Sequence, residues 1–404
     1  MNKDKNLLFV TEESINGVFT VINSLIESWP EKENQGTTIY LLSNKGHWGK
    51  SQLLEMSKSK SFSILDCPIY TASDLNNKIK NFNKASKLIM KAAFKIFLPF
   101  YSIWAIPKLM YLLKSRNITS IYSHNGGHPG GFLPRAAIYA GKLSFIKNVF
   151  LIIHNYPAPR KIWIYSYLRD KLIAFCSSKI ISVSYAVSKS LTTSCYFSKE
   201  IQVIHNGIPV EKKSIDLKIS QQPRWIGSKN IIGFIGELVE RKGIHILIEA
   251  LSQISLDYKL VIYGVGDENY TKKLKELVIR KKMKNKVFFE GYNQYAPHYL
   301  KDFTLLALPS IAFESLPMTI LEAMKHSKAV VCSNVGGTTE MVDNNLTGIV
   351  VKPGEISDLK NAIEKLLSNS KLTMDMGNRG FIKFNNYFNV IQVAQKYNNL
   401  NLAI

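Results

Sequence analysis

The sequence predicts an α/β protein built from two doubly wound domains, each a parallel sheet with helices on both faces. Three observations carry that expectation. The chain has 404 residues, beyond the size at which a single hydrophobic core usually divides. Short apolar, β-branched runs alternate with helix-like stretches along most of its length, as they do when crossover helices bury both faces of a parallel sheet. A polar stretch, VEKKSIDLKISQQPRWIGSKN from Val210 to Asn230, separates these runs into two sets. The expected division is a first domain over 1–208, a linker over 209–229 and a second domain over 230–384.

In chain order, the first set of strands reads NLLFV, TTIYLLS, SFSIL, SIYSH, NVFLIIH, KIISVS and IQVIHNG. The second reads IIGFIGEL, YKLVIYGVG, KVFFEGY, FTLLALPS, AVVCSNV and TGIVVKPG. Each is short and rich in Ile, Val, Leu or Phe, and most run into Gly, Asn, Pro or Ser. The opening MNKDKNLLFV carries too short an apolar run for a signal-peptide core and reads as the first strand. Ligands of such sheets bind beyond the carboxyl ends of the strands, so the expected site is a cleft where the two domains face each other. Cys67, Cys176, Cys195 and Cys332 are scattered singly, which fits a reducing compartment and no structural zinc.

Charge is unevenly placed. The net charge is +22, and residues 51–200 hold 21 Lys/Arg against 5 Asp/Glu. From Leu75 to Arg169 there are 15 Lys/Arg and no acid. Such a surplus in one half argues for an acidic partner bound by that half. Lys84, Lys87, Lys91 and Lys95 share one face of an expected helix, with Ile89, Ala93, Ile96 and Phe97 on the other. An aromatic, apolar stretch interrupted by Pro99 and Pro107 follows. It is too short to span a bilayer, and the 82–113 segment suits an anionic membrane interface instead. No recognised RNA or DNA motif accompanies the lysines, so nucleic acid is not the expected partner.

The second half concentrates the chemistry. In GFIGELVERKGIHILIEAL, Gly233 and Gly236 end a strand, and Arg241, Lys242 and Gly243 stand just before a helix, a place suited to a diphosphate. YGVGDENY adds a second strand-end pair, Gly264 and Gly266, which more often marks only a tight turn. In FESLPMTILEAM, Ser315 is the expected N-cap and Pro317 the first turn, so the amides of Ser315, Leu316, Pro317's neighbour Met318 and the helix dipole would meet an anion. Glu314 and Glu322 flank that helix start. Carboxylates repel phosphate but accept from sugar hydroxyls, so cations and carboxylates together fit a nucleoside diphosphate-sugar.

These residues resemble the retaining glycosyltransferases of the GT-B fold, in particular the large family four with its Glu-x7-Glu signature. The likeness runs over most of the C-terminal half, through ERKG, ESLPMTILEAM and NVGGTTEMVDNNLTGIVVKPGE, and VIHNGI is similar to the interdomain Asn-Gly motif. It implies that Glu314 contacts the donor sugar, Glu322 the ribose, and Arg241 and Lys242 the diphosphate, with Gly236, Gly266, Ser315, Leu316 and Pro317 around the donor. Ser315 stands where the family most often has Gly, and Glu237 where it often has a basic residue. The resemblance also implies retention, and a C-terminal tail, 385–404, that crosses back onto the first domain.

The N-terminal half is less diagnostic. Gly17 lies in a loop similar to the family's acceptor-side glycine loop, with Asn16 in place of a second glycine. His124 and His154 end strands and could donate to a sugar hydroxyl or the leaving phosphate, His154 as a catalytic group; a structural histidine is the competing reading for both, and the more so for His128. No Asp-x-Asp and no metal-like spacing occurs, so neither metal nor cofactor is expected and the chemistry would be metal-independent. The expected function is transfer of a sugar from a nucleotide-sugar donor to a glycan or lipid-linked acceptor in bacterial surface polysaccharide or lipopolysaccharide synthesis. The expected place is cytoplasmic, peripheral on the inner face of the cell membrane. The alternative is a non-catalytic subunit of the same fold that docks to an anionic membrane.

Overall fold

The structure is a computed structural model and describes residues 5–12, 17–30, 36–44, 62–159, 163–210 and 223–401. It divides into two compact units, Met1–Gly207 with Val390–Ile404, and Ile208–Asn389. Among the described residues, each unit holds one sheet in which every pairing is parallel.

The first sheet contains β1 (Lys5–Val10), β2 (Thr37–Leu42), β3 (Ser63–Leu65), β4 (Ser120–Asn125), β5 (Asn148–Ile153), β6 (Lys179–Ser182) and β7 (Ile201–Val203). Their order is β3-β2-β1-β4-β5-β6-β7, so the winding reverses between β1 and β4. Alternation along the strands feeds two cores. Leu7, Phe9, Tyr122, Phe150 and Ile152 pack against the helix Gly17–Glu27 on one face. Leu8, Val10, Ile121, Leu151 and Ile153 pack on the other, beneath helices Lys84–Ser115, Phe132–Leu143 and Trp163–Cys176.

The second sheet contains β8 (Ile231–Ile235), β9 (Lys259–Tyr263), β10 (Val287–Gly291), β11 (Leu305–Leu308), β12 (Ala329–Ser333) and β13 (Gly348–Val351), in the order β10-β9-β8-β11-β12-β13. That is the Rossmann winding 3-2-1-4-5-6, with its switch point between β8 and β11. The four inner strands, β9, β8, β11 and β12, are almost wholly buried, as continuous apolar runs require.

Three expectations are corrected. Part of the expected linker is core: Trp225 is fully buried among Tyr263, Tyr299 and Phe303, and its indole N–H donates to Glu290 at 3.0 Å. A large apolar ring cannot be left in water among lysines, whatever the polarity of its neighbours. Residues 211–222 of that segment lie outside the described residues. Second, the unit boundary falls at Gly207/Ile208, where the Ile208 N–H donates to Phe388 O at 3.1 Å, and the helix Ser370–Tyr387 stays with the second unit. The chain returns to the first unit at Val390. There Val393, Ala394 and Tyr397 join the core under Gly17–Glu27, and Tyr122 Oη donates to Tyr397 O at 3.3 Å. Third, Pro99 and Pro107 do not break the basic segment, which is one helix from Lys84 to Ser115. Asn83 caps it by accepting from the Ser86 N–H at 2.8 Å.

Candidate functional site

The residues with the strongest chemistry in the second unit lie on the two loops that leave its switch point. After β8 the chain makes a short 3-10 turn, Glu240–Lys242, and enters the helix Ile244–Leu251. After β11 it runs through Pro309 to Pro317 and enters the helix Met318–Lys325. The two loops are stitched by backbone: the Ile311 N–H donates to Arg241 O at 2.8 Å. Gly243 makes the approach possible. It has a φ of 68°, and a Cβ there would stand 2.0 Å from the Pro309 carbonyl oxygen. Only glycine satisfies both conditions at once.

That closeness brings Glu314 onto the cations. Its carboxylate accepts from Lys242 Nζ at 2.5 Å, Ser310 Oγ at 2.7 Å and Arg241 Nη1 at 3.4 Å, and the residue is only 6% exposed. Arg241 also lies over the Phe313 ring at 5.5 Å. The third loop, after β12, closes on the same place: the Gly337 N–H donates to Glu314 O at 2.8 Å, while Thr338 Oγ1 donates to Ser333 O at 2.7 Å. Two positive side chains and one buried carboxylate on rigid loops can neutralise an anion and accept from a hydroxyl within one small region.

The helix start differs from expectation. Pro317, with φ −67° and ψ 114°, is the cap residue, and the helix begins at Met318 without a side-chain cap; Ser315 lies two residues upstream of that cap. Proline disfavours helical geometry in the residue before it, which moves the start past Leu316. Leu316 is buried, so it offers the site its backbone and not its side chain. Glu322 is on the helix, half-buried, and burial pushes its carboxyl up to about 7, with Lys325 pulling the other way. Gly236 and Gly266 sit on the strand-end loops of β8 and β9. A Cβ on Gly266 would stand 2.1 Å from Leu238 O, so its bareness serves the packing of loop on loop. Gly236 has no such contact.

In the first unit the strand-end histidines form a pair. His124 Nδ1 and His154 Nε2 are 2.9 Å apart, the rings are stacked, and the residues are 1% and 5% exposed. Burial holds His154 down to about 3, and burial with the neighbouring ring holds His124 well below the usual imidazole range. Both are therefore neutral, and each imidazole keeps one N–H to donate. Their remaining nitrogens, His124 Nε2 and His154 Nδ1, are buried with no hydrogen-bond partner among the described residues. Gly17 opens the helix Gly17–Glu27, is exposed, and has nothing among the described residues within 4 Å of where a Cβ would stand. Asn16 lies outside the described residues.

Residues 216–382 match the family described as glycosyl transferases group 1. The fold is GT-B. A glycosyltransferase structure from Rickettsia africae ESF-5 is similar over 98% of each chain with a TM-score of 0.75 at 17% identity. Anabaena Alr3699/HepE, solved in complex with UDP, is similar over 99% of this chain and 100% of its own, with a TM-score of 0.71 at 18% identity. In sequence, the capsular polysaccharide biosynthesis glycosyltransferase CapM of Staphylococcus aureus is 26% identical over 232 residues, 55% of this chain and 60% of that protein. The chain spans 54%, 60% and 61% of the length of the first curated relatives it matches.

Within the GT-B frame the structure adds one group that sequence reasoning missed and shows what holds another that it read chiefly as structural. Glu12, at the end of β1 and thus at the first unit's own switch point, is buried and accepts from the Leu133 N–H at 2.9 Å, holding the start of the helix Phe132–Leu143. Its signal was available, as an acid two residues beyond an apolar strand. The other is His128, whose Nε2 lies 2.7 Å from Asp170 Oδ1. Arg169 Nη2 lies 2.8 Å from the same oxygen, and the Tyr196 N–H donates to Oδ2 at 3.0 Å. Burial alone would raise the Asp170 carboxyl, but these donors outweigh it and hold it low. With Cys195 these residues place three possible ligand atoms within 4.8 Å, a grouping that no sequence spacing announced. The carboxylate is already claimed by an arginine and a backbone amide, so the cluster is a strut between helix and loops.

Proposed function

We propose that the chain is a retaining, metal-independent glycosyltransferase that moves a sugar from a nucleotide-sugar to a glycan or lipid-linked acceptor, in surface polysaccharide or lipopolysaccharide synthesis at the inner face of a bacterial membrane. The observation that carries this reading is the Arg241–Glu314–Lys242 cluster at the second switch point, inside the residues that match the group 1 family. The UDP bound to Anabaena HepE and the capsular role in the name of CapM support a donor and acceptor of these classes.

In this mechanism Arg241 and Lys242, with the uncapped amides before Met318 that follow Ser315, Leu316 and Pro317, take the diphosphate and the charge that grows on it as the glycosidic bond breaks. Glu314 accepts from the donor sugar's hydroxyls, and Glu322 from the ribose. Gly236 and Gly266 leave the backbone bare beside the nucleotide. The sequence offers no enzyme nucleophile, so the acceptor oxygen attacks on the face the leaving phosphate departs from, and its proton passes to that phosphate. His154, neutral and oriented by His124, donates one hydrogen bond near the sugar, and Gly17 leaves room for the acceptor.

The test is nucleoside diphosphate release from UDP-, GDP-, ADP- and dTDP-sugars in the presence of EDTA, with Glu314→Gln as control. Release from one donor by the wild type alone is the expected result. Absence of both turnover and donor binding would favour a non-catalytic subunit of the same fold.

A further inference from the structure

The helix Trp163–Cys176 is dressed the wrong way round for a surface helix. Its buried side is a narrow stripe, Ser166, Asp170, Ile173, Ala174 and Cys176. Its outward side is apolar: Trp163 is 66% exposed, Leu168 62% and Phe175 66%, with Ile164 and Leu172 also open. A helix apolar towards water as well as towards the core is expected only where something other than water covers it. The helix Phe132–Leu143 packs against it, and Phe145, just beyond that neighbour, is 92% exposed.

The charges around this face are of one sign. Lys142 Nζ lies over the Phe175 ring at 4.7 Å, Lys171 Nζ over Tyr167 at 5.6 Å and the Arg169 guanidinium over Tyr165 at 5.7 Å. The single acid of the helix, Asp170, is turned inward and tied to His128 and Arg169. Aromatic rings with cations beside them, and no exposed carboxylate on the helix itself, match the headgroup zone of a bilayer, where rings sit at the boundary and cations reach the phosphates. Protein interfaces, in contrast, are depleted in lysine. No helix among the described residues is long and apolar enough to cross a membrane.

We propose that the outward face of Trp163–Cys176, together with Lys142 and Phe145, docks flat on the surface of an anionic lipid bilayer. The basic helix Lys84–Ser115, which the sequence singled out, also packs against Phe132–Leu143 and carries the same kinds of residue: its Trp104 ring lies under Lys108 at 3.5 Å, and Phe100 and Ile103 are exposed. The proposal deepens the reading of a membrane-borne acceptor and rests on that reading for its purpose, not for its test.

The test is flotation of the full chain with vesicles of phosphatidylcholine alone and of phosphatidylcholine mixed with phosphatidylglycerol. It compares the wild type, the triple variant Trp163→Ser/Leu168→Ser/Phe175→Ser and the charge variant Lys142→Ser/Lys171→Ser. The wild type is expected to float with the mixed vesicles only. Each variant is expected to bind them at least ~10-fold more weakly, with its melting temperature and its binding of soluble UDP unchanged. Equal flotation of wild type and triple variant would overturn the proposal. So would absence of flotation, or a concentration-dependent dimer that the triple variant abolishes, which would make a second copy the occupant. Sugar release without vesicle binding would reject this surface and leave the proposed function standing.

Discussion

Lys242 holds its ammonium 2.5 Å from the Glu314 carboxylate, although 72 residues separate them in sequence. Both side chains are largely buried, at 12% and 7% exposure. A buried ion pair of this kind costs desolvation, and removing one partner leaves the other charge uncompensated. The pair therefore holds the switch-point loops together and, in the proposed mechanism, also keeps a cation where the diphosphate is received.

The two jobs separate in a double-mutant cycle. Lys242→Met should cost about 3 kcal/mol of stability by stranding the Glu314 carboxylate, and should abolish donor turnover. Adding Glu314→Gln should recover much of that stability and none of the turnover. Chemical denaturation and donor release on the same four proteins check both. Recovered activity in the double variant would show the cation to be structural only.

Gly243→Ala tests the loop stitching. It places a side chain at a positive φ and against the Pro309 carbonyl, so it should cost at least ~2 kcal/mol. The loss should appear as a lower melting temperature and a weakened hold on nucleoside diphosphate. A wild-type melting curve would mean that the two loops do not touch there.

Glu322 links donor binding to pH. Its folded pKa is raised, to about 7, so the folded chain holds this proton more tightly than the unfolded one. Stability is greatest below the ordinary carboxylate range and falls as pH rises from there to about 7, with the full cost present above that. Glu322→Gln should therefore melt higher than the wild type at alkaline pH, by roughly 1–3 kcal/mol, and lose the advantage in acid. In the proposed mechanism it should also bind donor more weakly, because the carboxylate placed there to accept from ribose is gone. An advantage that does not change with pH would contradict the burial of this group.

The His124–His154 pair has the opposite sense. Both imidazoles are depressed below their unfolded value, so the unfolded chain takes up protons first as pH falls. Their contribution is present above about pH 6.5 and is lost as pH falls below it. His124→Leu/His154→Leu should flatten that part of the stability profile, read as melting temperature against pH. An unchanged slope would locate the acid sensitivity elsewhere.

Much of this was legible in the chain itself, for physical reasons. Every described strand overlaps one of the runs read as strands, and most are apolar along their length because both faces are buried; β4, SIYSHN, is buried but carries polar residues. Arg241, Lys242 and Glu314 were visible as charged residues beside strand ends and glycine. Their contact was not, because it depends on how close Gly243 lets the loops come. Trp225 was hidden by polar neighbours, and the start of the helix at Met318 by a proline that serves as the cap and not as the first turn. The His124–His154 pair needed the register of β4 and β5, which side-chain chemistry does not announce. The helix Trp163–Cys176 has apolar residues on both sides, and only the structure shows which side is buried.

The most direct measurement is titration of wild type and Lys242→Met with the nucleoside diphosphate of the active donor, by calorimetry in EDTA. The account predicts binding by the wild type and a loss of about 100-fold or more in the variant, the worth of a charge-assisted contact to phosphate of roughly 3 kcal/mol. Equal affinity would contradict it, because the diphosphate would then lie away from the switch-point loops of the second unit.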